Sequence, residues 1–219
     1  QQRKMKKSKT RPEAYGGVRR FLPLALAGGF ALALAFGPRT QAATATIEVL
    51  GTGVESLIGG DLTDPEDDGD EAAGPEDPSW NWVSISSNNE PGFGGGEFSF
   101  NVFDNQVGGG NAKWCCDDAT EAAPKNITVE FLAPVSLTHF TITSGNDTPN
   151  RDPLNFQILG SNDGESFEPI YTRESEESLW GDVRLQVNKF TLDEAVPAYK
   201  FIRYECTYTS GDLPQLTEI

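Results

Sequence analysis

This sequence predicts an all-β fold, an antiparallel β-sandwich or jelly roll of about eight strands. Three observations carry that reading. After residue 43, short segments alternate apolar and polar residues; clusters of Gly, Asn and Asp stand between them; and no stretch there keeps a helical period. Alternation at period two puts one face of a strand in a core and the other in water. Short strands set off by turn-forming residues belong to sandwiches and jelly rolls.

The elements follow in order. Residues 1–42 stand apart from the fold. They hold six basic residues from Lys6 to Arg20, an apolar run from Phe21 to Phe36, and then Gln41-Ala-Ala. A basic start, a short apolar run and a small-residue cleavage site make a secretory signal peptide. The run is broken by Pro23 and Gly28-Gly29 and is shorter than the roughly twenty residues a spanning helix needs. Cleavage after Ala42 or Ala43 leaves no membrane-inserted segment. Residues 44–50 read as the first strand. The stretch 61–78 is an acidic loop with seven acids between Asp61 and Glu71. It lacks the glutamate and flanking helices of an EF-hand, and reads either as a solvated loop or as a cradle for Ca²⁺, which takes oxygen ligands. Strands are then predicted at 80–85, 97–103, 127–132, 137–143, 156–159, 167–171, 183–190 and 199–208. Trp80, Trp82 and Trp114 sit in or beside these patterns and are core candidates.

Charge excludes whole classes of partner. The leader holds nine of the 17 Lys and Arg residues and one acid, which leaves eight basic and 32 acidic residues and a net charge of −24. Nucleic-acid binding depends on Lys and Arg neutralising phosphates, so it is excluded, and anionic membranes are repelled. Catalytic motifs are also missing: there is no Gly-x-Ser-x-Gly, Walker loop or His-Glu-x-x-His. The one histidine, His139, alternates with apolar neighbours inside a strand. The chain is read as not an enzyme. In an exported protein the three cysteines are expected to pair. Adjacent cysteines bond poorly, so the expected bridge joins Cys206 to Cys115 or Cys116.

Four segments resemble one family. Phe156-Gln-Ile-Leu-Gly-Ser-Asn-Asp-Gly-Glu-Ser-Phe has a strand, a left-handed turn at Asn162 to Gly164 and a returning aromatic. Phe103-Asp-Asn precedes a Gly-rich loop and Lys113-Trp114. Val129-Glu-Phe-Leu pairs with Leu137-Thr-His-Phe-Thr-Ile, and Tyr199-Lys-Phe-Ile-Arg-Tyr is followed by Leu216-Thr-Glu-Ile. Together, over 97–219, they resemble the discoidin (F5/8 type C, galactose-binding-like) domains, and in particular modules from secreted bacterial proteins. Two features depart from the family, the acidic insertion at 61–78 and a last strand that stops at Ile219, where a truncation is read.

The resemblance implies a structural Ca²⁺ held by carboxylates of Asp104 and Glu218, the amide oxygen of Asn111 and the carbonyl of Gly109. The alternative for Asp104 is a simple Asx-turn. It also implies a ligand site on the loops at one end of the sandwich, here 144–153, 173–184 and 208–214. Asn146, Asp147, Arg151 and Asp152 form the polar candidates there. Arg151 could donate a bidentate pair or form an internal ion pair with Asp152. Trp180 could serve as a sugar platform or simply cover the sandwich end. The expected protein is a secreted or cell-surface, non-catalytic module that binds a glycan or cell-surface polysaccharide. The alternatives are an adhesion or protein-binding module, or an ancillary domain of a larger exported enzyme.

Overall fold

The computed structural model describes residues 41–59, 62–63, 81–88, 96–108, 111–115, 118–211 and 213–219. The segment up to residue 40, where a signal peptide is expected, nearly all of the acidic loop, Trp80, Gly109 and Cys116 lie outside the described residues. The described strands are β1 (Ala45–Thr52), β2 (Trp82–Ser87), β3 (Trp114–Cys115), β4 (Lys125–Val135), β5 (His139–Thr143), β6 (Asn155–Ser161), β7 (Glu168–Arg173), β8 (Gln186–Leu192), β9 (Tyr199–Tyr208) and β10 (Gln215–Leu216).

They form antiparallel sheets in the orders β2-β4-β9-β6-β7, β1-β8-β5 and β10-β3. Alternation explains which side chains meet. From the five-stranded sheet, Ile127, Val129, Phe131, Phe156, Ile158, Tyr204 and Cys206 are buried; from the three-stranded sheet, so are Phe140, Ile142, Phe190 and Leu192. The two sets join in one hydrophobic cluster. Phe140 stacks on Phe190 at 4.7 Å, and Phe156 meets Phe190 edge-on at 5.8 Å, the geometries aromatic quadrupoles prefer. The molecule is therefore the all-β antiparallel sandwich the alternation predicts. Trp114 is in its core and Trp82 packs against it.

Three local expectations are corrected. Residues 97–103 alternate but form a short 3-10 helix, Ser99–Val102. Asn101 explains this: its side-chain amide donates to the carbonyls of Gly96, Asn111 and Lys113. Those bonds fold the segment onto the following loop instead of extending it along a neighbour. The strand read at 183–190 begins only at Gln186, because Leu185 adopts a left-handed φ of 56° that a ladder cannot use. Finally, Cys206 is a free thiol, buried and unbridged to Cys115. Its position in β9, opposite Lys125 of β4 and Phe156 of β6, commits it to the core as a small apolar residue. Burial pushes that thiol up to about 12.

One edge of the smaller sheet is β1, which among the described residues pairs with β8 only, and a bulge interrupts it between Val49 and Gly51. Ile47 and Val49 lie opposite Phe190 and Asn188, yet remain 39% and 59% exposed.

Candidate functional site

The three loops singled out in the sequence gather at one end of the sandwich, and two basic residues tie them together. β5 ends at Thr143 and β6 begins at Asn155; the loop between them carries a short 3-10 helix, Pro149–Arg151. Thr148 enters that helix in the left-handed region at φ 45°, and Pro149 sets its first turn, where a missing N–H costs nothing. Gln215 of β10 donates from its amide to the carbonyls of Asp147 and Thr148. Ser210 donates to the carbonyl of Asn150, which ties the 208–214 segment to the same loop.

Lys113 is the first tie. It is 4% exposed, and a buried ammonium must be satisfied by nearby acceptors. Its Nζ donates to Asn146 Oδ1 at 3.0 Å, Asp147 Oδ1 at 3.2 Å and Gln215 Oε1 at 3.2 Å, and lies 3.6 Å from the carboxylate of Glu97. Partial burial alone would raise the Asp147 carboxyl, but Lys113, Gln215 and Thr148 hold it below the usual carboxylate range. Asp147 is the exposed member of this cluster, its side chain 53% exposed.

Arg184 is the second tie. It donates to both oxygens of Asp152, Nη1 to Oδ1 at 2.8 Å and Nη2 to Oδ2 at 2.6 Å. This is the paired geometry in which guanidinium and carboxylate bind best. Asp152 is 1% exposed. Burial pushes its carboxyl up, opposed by Arg184 and the N–H of Gly145. Arg184 also reaches the carbonyls of Gly181 and Asp147, so loop 173–184 is fastened to loop 144–153.

These contacts sort the expected site residues. Asn146 and Asp147 come together on Lys113. Asp152 is turned inward and belongs to Arg184, not to its neighbour Arg151. Arg151 is half-buried on the 3-10 helix; its backbone N–H donates to the Thr148 carbonyl at 2.9 Å, while its side chain makes no hydrogen bond or ion pair to another described residue. Trp180 is 2% exposed and part of the core, so it is not displayed as a platform. The Ser178 hydroxyl accepts the N–H groups of Trp180 and Gly181, and this turn, with Gly181 at φ 53°, folds the indole inward. The aromatic that the same rim does expose is Tyr208, at 46%, the last residue of β9 and opposite Asn155.

Sequence reading missed Lys113, Arg184 and Tyr208 as site residues. A lysine among Gly, Asn and Trp in an acidic protein was a usable signal. Arg184 and Tyr208 looked like the polar positions of their strands.

The expected calcium ligands divide similarly. Asp104 and Glu218 are 8% and 2% exposed. Ile219 N–H donates to the Val102 carbonyl at 2.9 Å, which brings the C-terminal segment beside the Val102-Phe103-Asp104 run. Asp104 Oδ1 accepts the N–H of Gln106 at 3.0 Å, an Asx-turn, with Asn105 left-handed at φ 55°. Asn111 is exposed, and its carbonyl accepts from Asn101 and from the Lys113 N–H. Gly109 lies outside the described residues. Among the described residues no three His, Cys, Asp or Glu side chains form a metal-binding group. Two buried carboxylates beside a Gly-rich loop nevertheless suit a hard cation that completes its shell with carbonyl and amide oxygens.

With this geometry in place, comparison with known proteins identifies the class. The F5/8 type C domain model matches residues 83–219, so the chain belongs to the F5/8 type C domain family, over nearly the span where the resemblance was read. No curated protein sequence matches it. The chain is similar in structure to the tandem CBM32-1 and CBM32-2 domains of Clostridium perfringens ZmpB. The TM-score is 0.57 at 14% identity, over 84% of this chain and 41% of that one. A ZmpB structure that adds the M60 catalytic domain gives a TM-score of 0.54 at 15% identity, over 81% of this chain and 16% of that one. The family 32 module of C. perfringens NanJ, solved in complex with galactose, gives a TM-score of 0.48 at 17% identity, over 62% and 89%. The chain thus spans less than half the length of the ZmpB chains. Among the described residues no helix is long and apolar enough to cross a membrane.

Proposed function

We propose that this protein is a non-catalytic carbohydrate-binding module, exported to the cell surface or the medium, that holds its glycan on the rim formed by loops 144–153, 173–184 and 208–214. The observation that carries this reading is the division of labour on that rim. Lys113 and the Arg184–Asp152 pair spend their hydrogen bonds on fixing the loops, while Tyr208, the half-buried Arg151, and Asp147, whose side chain stays 53% exposed beside Lys113, reach the surface. Pre-organised loops lower the ordering cost of binding. An exposed ring offers an apolar face to a sugar, and a guanidinium and a carboxylate supply the donors and acceptors that read hydroxyl groups.

Calcium fits the same reading as a structural ion. Asp104 and Glu218 would hold it, with oxygens from Asn111 and the 105–112 loop, and it would fasten the C-terminal segment beneath the binding loops. When bound it supplies charge neutralisation for two buried carboxylates. Membership of the family and the fold support this, as does the net charge, which disfavours anionic partners.

The test is a glycan array probed with the full chain, with Ca²⁺ and with EDTA. Binding to a defined sugar class is expected, lowered about tenfold or more by Tyr208→Ala, in keeping with a stacking contact of about 1.5 kcal/mol, and lowered by Arg151→Ala. Trp180→Phe should leave the apparent affinity of the folded protein unchanged. EDTA should weaken binding together with thermal stability. Silence of the folded, calcium-loaded protein across the array would refute the proposal.

A further inference from the structure

On the outer face of the five-stranded sheet, strands β6, β7 and β9 and the turn at Glu121 line a cleft of about 240 Å³. Alternation builds it. Phe156, Ile158, Tyr171, Tyr204 and Cys206 point into the core, so Gln157, Thr172, Glu205 and Thr207 face outward, each half-buried. Register then aligns them. Gln157 lies opposite Thr172 of β7 on one side and Glu205 of β9 on the other. A hydroxyl, an amide and a carboxylate thus form one rung across three strands, spaced by the ~4.8 Å that separates neighbouring strands. The side chains of Gln157 and Thr172 make no hydrogen bond to another described residue.

The charges in the cleft select against anions. Glu121, Glu174 and Glu205 line it. Its one lining cation, Arg173, is buried and turned to the carbonyls of Leu154 and Glu177. The next cation along β9, Arg203, is held over the Phe167 ring at 3.7 Å with its Nε on Thr128. Desolvation pushes the Glu205 carboxyl up, with Arg203 opposing, which marks this carboxylate as partly withdrawn from water. The cleft also adjoins the loop rim. Asn155, which lines it, lies opposite Tyr208, two residues from the Gln157 rung.

We propose that this rung is a second sugar subsite, in which Thr172, Gln157 and Glu205 take one non-acidic pyranose unit, neutral or amino-bearing, of a glycan that also reaches the loop rim. The proposal rests on the carbohydrate reading above and extends it from the loops to the sheet face. An amide that both donates and accepts, a hydroxyl, and a carboxylate that can accept from two hydroxyl groups are the complement of a ring carrying several hydroxyls. A uronic acid would bring its carboxylate against three others.

The experiment is a nuclear magnetic resonance titration of the ¹⁵N-labelled full chain with D-galactose, D-glucosamine and D-galacturonate. The Gln157 side-chain amide and the Thr172 and Glu205 backbone amides are expected to shift saturably with the first two sugars. Galacturonate should bind there at least tenfold more weakly. Glu205→Gln should narrow that discrimination to within about threefold while the shifts at Arg151 and Tyr208 stay as they were. If the loop signals respond and the cleft stays silent, the second subsite is refuted and the loop site stands. Silence of both overturns both. Equal binding of galacturonate and galactose in the cleft would also overturn it. Response of the cleft alone supports the subsite and removes the loop rim as the primary site.

Discussion

Arg184 and Asp152 show how much of the site depends on a single pair. Both oxygens of a carboxylate with a fully buried side chain are taken by one guanidinium whose side chain is 18% exposed. Removing one partner of such a pair leaves an uncompensated buried charge and costs about 3–5 kcal/mol. Arg184→Ala should therefore lower the unfolding free energy by that order, read as a lower midpoint in urea at unchanged m. Asp152→Asn, which keeps the shape and one acceptor, should cost less; equal stability of Arg184→Ala and the parent would show that the pair is not formed in solution. Neither residue's role was legible beforehand. Asp152 was recognised as part of a polar cluster, but its partner lies 32 positions away, and only the meeting of two loops makes the pair. Arg151, adjacent in sequence, was the natural candidate partner, yet its backbone in the 3-10 helix carries it elsewhere. Trp180 is the opposite lesson: an acidic, Ser-rich approach marks a loop correctly but says nothing about which way the ring turns.

Whole elements were more legible than the residues within them. Eight of the strand segments read from alternation correspond to β1, β2, β4, β5, β6, β7, β8 and β9, because a buried face imposes period two on any sheet that covers a core. The failure at 97–103 came from a competing local force, the three carbonyls collected by Asn101. The two-residue strands β3 and β10 carry too little sequence to show a period. The hairpin between β6 and β7 was read from Asn162-Asp-Gly, and its chemistry is confirmed in detail. Asp163 accepts the N–H groups of Ser166 and Glu165 at 2.8 and 2.9 Å and the Ser161 hydroxyl at 2.9 Å. Those bonds depress its carboxyl from the ordinary 3.8 to about 2. A carboxylate lowered in the folded state stabilises it above its unfolded pKa, and that contribution is lost as pH falls through the folded one. The turn should therefore keep its full contribution above about pH 4 and lose it towards pH 2. A carboxyl titration by nuclear magnetic resonance should place the Asp163 midpoint near 2; a midpoint near 3.8 would mean the turn is open in solution.

At the scale of the molecule, one sandwich core carries both the loop rim and the sheet-face cleft. The family resemblance lay in how four segments fall in order along the chain, so it could be read before any contact was known, and the family model's match over residues 83–219 shows the membership. The cysteines illustrate the limit of such reading. Compartment chemistry argues for a bridge, but the interior of the sandwich claims Cys206 first. Alkylation of the native chain without reductant should leave Cys206 unlabelled, and unfolding without reductant should expose it to full labelling. Failure to label after unfolding would reveal a bridge. The edge strand β1 has a different kind of consequence, for behaviour at high concentration. Unpaired strand edges with exposed apolar side chains template further strands from other molecules. Here the bulge between Val49 and Gly51 bends the edge, and Glu48 places a charge between Ile47 and Val49. A charge at this place is expected to act as a gatekeeper against fibrillar assembly. Replacing it, as Glu48→Val, should shorten the lag time before thioflavin-positive aggregates form while leaving the monomer's fold intact, and an unchanged lag would mean that the bulge alone protects the edge.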